Sequence, residues 1–223
     1  MSAAITAAQL SRILSGFQMG IAQQAKSLRA SRQSASIRTF HPTATVKCDG
    51  PSVFRSQTAR DVACLFDVNP SISSWHCMPM PLDYGGVVHV PDFGVLNEDG
   101  GLLLFDASDR IMPVDSGKIE AIAETHGIRY RRLIAEEIYD GARLQNAKDL
   151  LRYGGSALAL GDRLRLLAAL EENGNLTVAE CLTAFTETRP VAGLAQMILR
   201  GFVEVDLDME LISPETVVRR IRG

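Results

Sequence analysis

Hydrophobic residues recur at helical spacing in two segments of the N-terminal part of the chain. Between residues 3 and 28, apolar residues three and four positions apart predict a short amphipathic helix, after which Ser, Arg and Thr dominate without a helix or strand pattern. A second predicted helix, over residues 56–66, carries Val62, Leu65 and Phe66 on one face.

Short strand-like runs separated by turns follow the second predicted helix. The runs lie at residues 73–80, 87–90 and 91–96. The turn sequence Asn97-Glu98-Asp99-Gly100-Gly101 leads into the apolar run Leu102–Phe105, which predicts a hairpin ending in a central strand. A helix over 117–126 and a strand over 128–134 complete this region. Their order predicts an α+β fold with a small mixed sheet flanked by helices.

Beyond Gly154-Gly155, which marks a predicted domain boundary, the pattern becomes mainly helical. Three helices are predicted, at residues 162–170, after the capping box Thr177-x-x-Glu180, and at 191–199. A two-stranded ribbon is predicted from residues 202–205 and 210–212. Ser213-Pro214-Glu215 has the N-cap and proline that begin a helix, so a last helix is predicted there. Three helices and a β-ribbon are the plan of a winged-helix domain.

Charge is distributed unevenly along the chain. The 223 residues include 23 Lys and Arg against 26 Asp and Glu, a net charge of −3, which provides no whole-chain case for nucleic-acid binding. Residues 1–48, however, contain six basic and no acidic side chains, whereas the rest of the chain is acidic. We therefore predict a basic, partly disordered arm over 1–48, followed by domains over 49–153 and 156–223.

The basic arm has three interpretations that composition alone does not separate. It could neutralise DNA phosphates, which adds affinity that depends on salt and not on base sequence. A floppy tail and an organellar transit peptide have the same composition. The candidate phosphate contacts in the arm are Arg29, Arg32, Arg38 and Lys47.

Composition also excludes several classes of protein. With 46% hydrophobic and 22% charged residues, the chain is typical of soluble globular proteins. Its four cysteines, none in a C-x-x-C pair, indicate reduced thiols in a cytosolic protein and not a zinc site. No apolar run approaches the roughly 18 residues needed to cross a bilayer, so we expect a cytoplasmic protein without a membrane partner.

The candidate chemistry lies in two aspartates. Asp92 ends a short strand after Pro91 at the predicted hairpin, and Asp106 ends the returning apolar strand. Antiparallel neighbours can bring such carboxylates to one sheet edge, where their oxygens could bind Mg²⁺ for phosphodiester hydrolysis. The alternative is that Asp92 caps a turn and Asp106 opens a loop.

Several motifs, in their order and spacing, resemble the TnsA-type endonuclease of heteromeric transposons. Four segments carry the resemblance: Arg55–Asp61 for the family's first helix, Phe66–Ile72, the strand His89-Val90-Pro91-Asp92-Phe93-Gly94-Val95, and Asp106-Ala107-Ser108. The resemblance implies a restriction-endonuclease-like, PD-(D/E)xK domain followed by a winged helix. It also implies Asp92 and Asp106 as catalytic, Mg²⁺-binding residues, and DNA with a transposase or an AAA+ ATPase regulator as partners.

This chain departs from the family's pattern at two catalytic positions. The metal-binding glutamate falls on Ala59, or on Arg55 if the helix slips by one turn, and the catalytic lysine falls on Ser108. Losing one preorganised group of this kind typically costs about 10²-fold or more in rate. Replacements could come from nearby acidic or basic residues, namely Asp61 or Asp109 for the carboxylate and Arg110 or Lys118 for the lysine.

Three functions remain open from the sequence. We expect a DNA-associated, TnsA-like protein whose nuclease fold is catalytically impaired, binding no cofactor, with Arg129 and Arg131 adding backbone contacts to those of the arm. The alternative is an active Mg²⁺-dependent endonuclease of a transposition system. A further alternative is a regulatory adaptor that uses protein contacts only, which the acidic winged helix and its apolar third helix favour over base reading.

Overall fold

The computed structural model describes residues 21–83, 87–112, 115–125 and 127–221, and the chain divides into two compact units. The first unit extends to His41 and resumes over Lys47–Glu137, and the second comprises Pro42–Val46 and the chain from Ile138 onward. Residues 84–86 and most of the predicted first helix lie outside the described residues.

The first unit combines helices with a mixed sheet. Its helices are α1 (Ile21–Ala35), α2 (Gln57–Val68) and α3 (Ser116–Thr125), and α4 (Ala135–Tyr139) carries the chain from this unit into the second. Its strands are β1 (Ile72–Cys77), β2 (Leu82–Asp83), β3 (Val88–His89), β4 (Phe93–Asn97), β5 (Leu102–Asp106) and β6 (Arg129–Arg132). Helix α2 begins where predicted because the Ser56 side chain accepts a hydrogen bond from the Ala59 backbone N–H.

Four strands form the main sheet, in the order β1-β4-β5-β6, and β2 and β3 form a separate hairpin. Strands β1, β4 and β5 pair antiparallel, whereas β6 pairs parallel to β5 after the crossover through α3. The prediction of an α+β fold with a mixed sheet and flanking helices is therefore confirmed. Gly94 in β4 is required by packing, since a Cβ there would lie 2.9 Å from the Pro79 side chain.

The sheet carries a different core on each face. On the α2 face, Phe66 packs edge-on against Phe93 with ring centroids 5.3 Å apart, and Trp75 packs edge-on against the same ring. On the α3 face, Leu104 and Tyr130 pack with buried residues of α3. Because side chains alternate along a strand, Asp106 lies on the same face as Leu104 and opposite to Phe105.

The second unit contains four helices and a three-stranded sheet. The helices are α5 (Arg143–Leu151), α6 (Leu160–Asn173), α7 (Val178–Leu182) and α8 (Pro190–Leu199), and the strands are β7 (Asn175–Thr177), β8 (Val203–Glu204) and β9 (Val217–Arg220). The sheet order is β7-β9-β8, with both pairs antiparallel. The predicted capping box at Thr177 and Glu180 begins α7.

The end of the second unit differs from the prediction. Ser213 begins a turn, not a helix, since its backbone N–H donates to the Thr216 hydroxyl at 2.9 Å. The chain then forms strand β9, whose Val218 is fully buried, and β8 pairs with this strand instead of with residues 210–212. Pairing with β7 and β8 buries a β-branched side chain, which outweighs the local helix-start signal.

Two further differences concern helix and domain limits. Helix α1 continues to Ala35, where the sequence shows no helical pattern, because Gln24 and Ala35 are buried. The second unit begins near Ile138, ahead of the predicted boundary at Gly154-Gly155, because α5 packs within that unit against α8. Among the described residues, no helix has both the length and the apolar character needed to cross a membrane.

Candidate functional site

Asp92 and Asp106 lie side by side, and each carboxylate accepts a backbone hydrogen bond from the neighbouring strand segment. The register pairs Phe93 with Phe105, so the two aspartates are opposite each other at the ends of β4 and β5. The Asp92 N–H donates to the Asp106 carboxylate at 2.9 Å, and the Ala107 N–H donates to the Asp92 carboxylate at 3.1 Å. The hairpin thus brings together the two carboxylates that the sequence places at the ends of neighbouring strands.

Two side chains from other strands complete the environment of Asp106. One oxygen of its carboxylate lies 2.6 Å from the His89 Nε2 and accepts a hydrogen bond from the Tyr130 hydroxyl at 2.7 Å. Asp106 and the His89 side chain are fully buried, and Tyr130 is nearly so. Strands β3 and β6 therefore both contribute to this site.

Arginines neutralise the negative charge of the pair. The Arg55 guanidinium forms an ion pair with Asp92 and donates a second hydrogen bond to the Val90 carbonyl at 2.9 Å. The Arg110 Nε lies 3.9 Å from the second oxygen of Asp106. The Arg55 side chain is only 17% exposed and that of Asp92 only 4%, so this ion pair is largely shielded from water.

The two carboxyl groups ionise differently. Burial raises the pKa of Asp92, and the charge of Asp106 raises it further, against the opposing effect of Arg55. Burial also opposes ionisation of Asp106, but hydrogen bonds from His89 and Tyr130 outweigh it and lower the pKa of that carboxyl. Asp106 is consequently the more acidic member of the pair.

The donor set does not fit the Mg²⁺ ion that the nuclease resemblance implies. Mg²⁺ requires near-octahedral oxygen coordination and usually keeps several waters. All four carboxylate oxygens of Asp92 and Asp106 already contact protein donors, and both residues are at most 5% exposed. Within the described part of the chain, no group of three His, Cys, Asp or Glu residues could hold a metal ion.

Of the residues predicted to replace the missing nuclease groups, only Arg110 lies next to the acid pair. Ala59 is buried in α2 without a polar group, and Asp61 accepts a hydrogen bond from Gln57 at 2.7 Å. Asp109 and Lys118 are exposed. Ser108 offers its backbone carbonyl to Arg132, at 2.6 Å. An arginine does not release a proton near neutral pH, so Arg110 cannot replace the lysine as a base.

The sequence does not reveal the role of Arg55. The TnsA-type resemblance gives this position only as an alternative location of a lost glutamate, whereas the guanidinium contacts Asp92 directly. His89 and Tyr130 are also hydrogen-bond partners of Asp106. No short-range pattern in the sequence connects these three residues to the acid pair.

The predicted DNA-contacting residues fall into two groups. Arg29, Arg38 and Arg129 are exposed. The others already have partners within the protein: Arg32 donates to the Met78 carbonyl at 3.2 Å, Lys47 to the Asn69 carbonyl at 2.5 Å, and Arg131 pairs with Glu137.

Two observations argue against a nucleic-acid contact by Lys47. Burial is the main cause that lowers the pKa of its ammonium group, although the charge of Asp67 opposes this shift. Its backbone N–H donates to the Asp67 carboxylate at 2.9 Å, which fixes the segment in place. Lys47 therefore anchors this segment of the chain to the first unit.

The second unit has a partly apolar groove beside α8. This groove, about 430 Å³ in volume, is lined mainly by aliphatic side chains, among them Leu150, Leu182, Val191, Leu194, Ile198 and Leu211. Most residues of helix α8 are buried, and its Gln196 donates to the Tyr153 carbonyl at 2.5 Å. Gln196 is thus part of the core of this unit.

Comparisons with known proteins add no family to this description. No protein-family model matches the chain, and no curated protein matches it either.

Proposed function

We propose that this chain is a nuclease-like protein that binds the backbone of duplex DNA without cleaving it. The observation that carries the proposal is the ion pair between Arg55 and Asp92, which places a protein cation on the carboxylate that would otherwise bind metal. The exposed arginines Arg29, Arg38 and Arg129 supply the phosphate contacts.

The arrangement of the first unit supports the proposed relationship to restriction-endonuclease-like domains. The order of elements is a helix, antiparallel strands, a crossover helix and a parallel strand. The acid pair lies at the adjacent ends of the two central strands, β4 and β5. These are the positions at which the TnsA-type resemblance places its acidic residues. The elements from α6 to β9 likewise support a winged helix: their order is helix, strand, helix, helix, strand, strand.

Loss of cleavage follows from the charge balance of the site. A nuclease needs a metal and a base next to the phosphate, because these stabilise the charge that develops on the reacting group. Here the Arg55 guanidinium and two backbone N–H groups contact the carboxylate oxygens, and serine, Ser108, replaces the catalytic lysine. In this proposal the acid pair has a structural role: it links the ends of β4 and β5 to Arg55 in the segment before α2.

Cleavage is tested by incubating supercoiled plasmid with the full chain and Mg²⁺ or Mn²⁺. The plasmid is expected to remain supercoiled. Nicking that Asp92→Asn abolishes while Trp75 fluorescence stays native would overturn the proposal in favour of the active endonuclease.

DNA binding is tested by gel shift of duplex DNA at 50 and 200 mM salt. Each phosphate contact contributes about −0.9 to the slope of log affinity against log salt, so three contacts predict a loss of roughly 40-fold between these salt concentrations. The triple variant Arg29→Ala, Arg38→Ala and Arg129→Ala should bind weakly at both salt concentrations. The matched control replaces the same three residues with lysine, which keeps the charge and should keep the affinity.

Point variants are preferable to deletion of residues 1–48. Helix α1 contributes buried Ala35 and Gln24, and Arg32 caps the end of β1, so deletion would also disturb the fold. Equal affinity of the alanine and lysine variants would refute the phosphate contacts.

A second candidate function, an adaptor that acts through protein contacts, is favoured by the groove beside α8. Val191 and Leu211 line it and remain more than half exposed, at 52% and 58%. Absence of any DNA affinity in the unmodified chain would support this alternative over the first.

A further inference from the structure

One side of helix α1 is exposed and carries long polar side chains. Gln23, Lys26 and Gln33 are exposed, and Ala30, also exposed, lies between the last two. Their spacing of three, four and three residues keeps the four positions within about 80° of arc on a helix of 3.6 residues per turn. These four residues therefore form one stripe along the helix, which we call the outer stripe.

The opposite side of α1 is fixed to the first unit. Gln24 and Ala35 are each 5% exposed. The Arg32 side chain donates to the Met78 carbonyl at 3.2 Å. Because the helix is held in this way, the backbone of the outer stripe is already ordered before a ligand binds, which lowers the entropic cost of binding.

The charge of α1 favours an anionic ligand. Residues 21–35 contain three basic and no acidic side chains. The polar groups of the stripe distinguish between anionic ligands, because an acidic protein surface calls for cations, whereas two of the three long side chains here are neutral amides. An amide can donate and accept at once, which suits the edge of a base.

The dimensions of the stripe fit duplex DNA. Gln23 and Gln33 are ten residues apart, about 15 Å along the helix axis at 1.5 Å per residue. This length corresponds to about four base-pair steps of roughly 3.4 Å. The major groove is wide enough to admit an α-helix, and the small side chain of Ala30 allows the helix to approach the base edges closely.

The other helix that a winged-helix domain would use for base reading is less suited to it. Most residues of α8 are buried, and its Gln196 is fully buried. The amides of the outer stripe are exposed instead.

Building on the proposed DNA binding, we propose that α1 lies in the major groove of duplex DNA and that its outer stripe reads about four base pairs. Lys26 donates to O6 and N7 of a guanine, and the amides of Gln23 and Gln33 pair with N6 and N7 of adenines. Exposed Arg29, on one flank of the stripe, contacts a phosphate beside the groove. The stripe thus adds a sequence preference that backbone contacts do not provide.

The test selects binding sites from a library of randomised DNA duplexes. The full chain is incubated with the library at 200 mM salt, at which backbone contacts alone bind weakly, and the bound fraction is sequenced. We expect an enriched motif of about four base pairs that contains guanine and adenine. With about 5-fold for each of three base contacts, the enriched duplex should bind roughly 100-fold more tightly than a scrambled duplex of the same composition.

Two variants and a matched control assign this preference to α1. Lys26→Ala should relax the preference for guanine and Gln33→Ala that for adenine, each lowering the affinity ratio by about 5-fold. Alanine is the strongest helix former, so α1 should persist in both variants. Lys118→Ala removes the same charge from an exposed position of α3 and should leave the ratio unchanged.

Failure of base reading differs from failure of DNA binding. If the chain binds arbitrary duplexes and enriches no motif, base reading by α1 is overturned while backbone binding stands. An enriched motif that the double variant Lys26→Ala, Gln33→Ala still prefers would also overturn it, because another surface would then read the bases. Absence of affinity for every duplex at 50 mM salt would overturn both proposals in favour of a protein ligand.

Discussion

Replacement of Arg55 by alanine tests whether the arginine is needed to keep the acid pair buried. The variant leaves Asp92, 5% exposed, next to Asp106 without its main cation. Removing one partner of a buried ion pair typically costs 3–5 kcal/mol, because the remaining charge stays desolvated. Since the Arg55 side chain keeps 17% exposure, we expect the lower end, a loss of about 3 kcal/mol in the free energy of unfolding at pH 8.

The loss should depend on pH in a defined direction. Burial and the charge of Asp106 already raise the pKa of Asp92, and without Arg55 this pKa rises further. A carboxyl with a raised pKa in the folded state binds its proton more tightly there than in the unfolded chain. The penalty is therefore full above the folded pKa of Asp92 and shrinks as pH falls toward the ordinary carboxyl range, so it should be smaller at pH 5 than at pH 8.

The assay is urea unfolding followed by the fluorescence of Trp75, the single tryptophan, which is fully buried in the first unit. This signal reports the first unit alone, so unfolding of the second unit does not distort it. Arg131→Ala is the matched control: it breaks an exposed ion pair with Glu137, and such pairs contribute at most about 1 kcal/mol.

A double-mutant cycle separates the ion pair from packing of the arginine side chain. Asp92→Asn removes the charge that Arg55 neutralises, so combining it with Arg55→Ala should cost less than the sum of the two single losses. Equal losses at pH 5 and pH 8, or a loss no larger than that of the Arg131→Ala control, would refute the reasoning.

Three further predictions concern single side chains. Tyr130→Phe removes the hydroxyl that donates to Asp106 at 2.7 Å, so Trp75 fluorescence in urea should show a loss of about 2 kcal/mol, and the pKa of Asp106 should rise in carboxyl NMR titration. Asn146→Ala removes three buried or partly buried hydrogen bonds to the 207–212 segment, so amide hydrogen exchange there should accelerate; unchanged exchange would contradict this role of Asn146. Gly193→Ala places a Cβ 2.3 Å from the Phe185 ring, so the thermal midpoint of the second unit should fall by an amount equivalent to about 1–3 kcal/mol, and Phe185→Leu should relieve part of that loss.

Local features of the chain could be predicted from the sequence because they depend on residues a few positions apart. The start of helix α2, the turn after β4 and the capping box at Thr177 occur where expected. A hydrogen bond between a side chain and a nearby backbone N–H requires no distant partner, and neither does a tight turn. The neighbouring placement of Asp92 and Asp106 belongs to this class, since a short hairpin brings them together.

The same local signals failed where a distant strand competed with them. Ser213-Pro214 has the chemistry of a helix start, but the following valines pair with β7 and β8 and bury Val218. Burial of a β-branched side chain against two strands contributes more than a helix N-cap, and it depends on residues that no local window contains.

The sequence by itself indicated many of the helices and strands, the hairpin between β4 and β5, and the adjacency of the two aspartates. Only the tertiary structure decided what surrounds them, because Arg55 precedes α2, His89 ends β3 and Tyr130 lies on β6 beyond a crossover helix. A buried carboxylate is stable only when cations or hydrogen-bond donors compensate its lost hydration. Which groups do so depends on chain segments that folding brings together, and here they are an arginine, a histidine and a tyrosine.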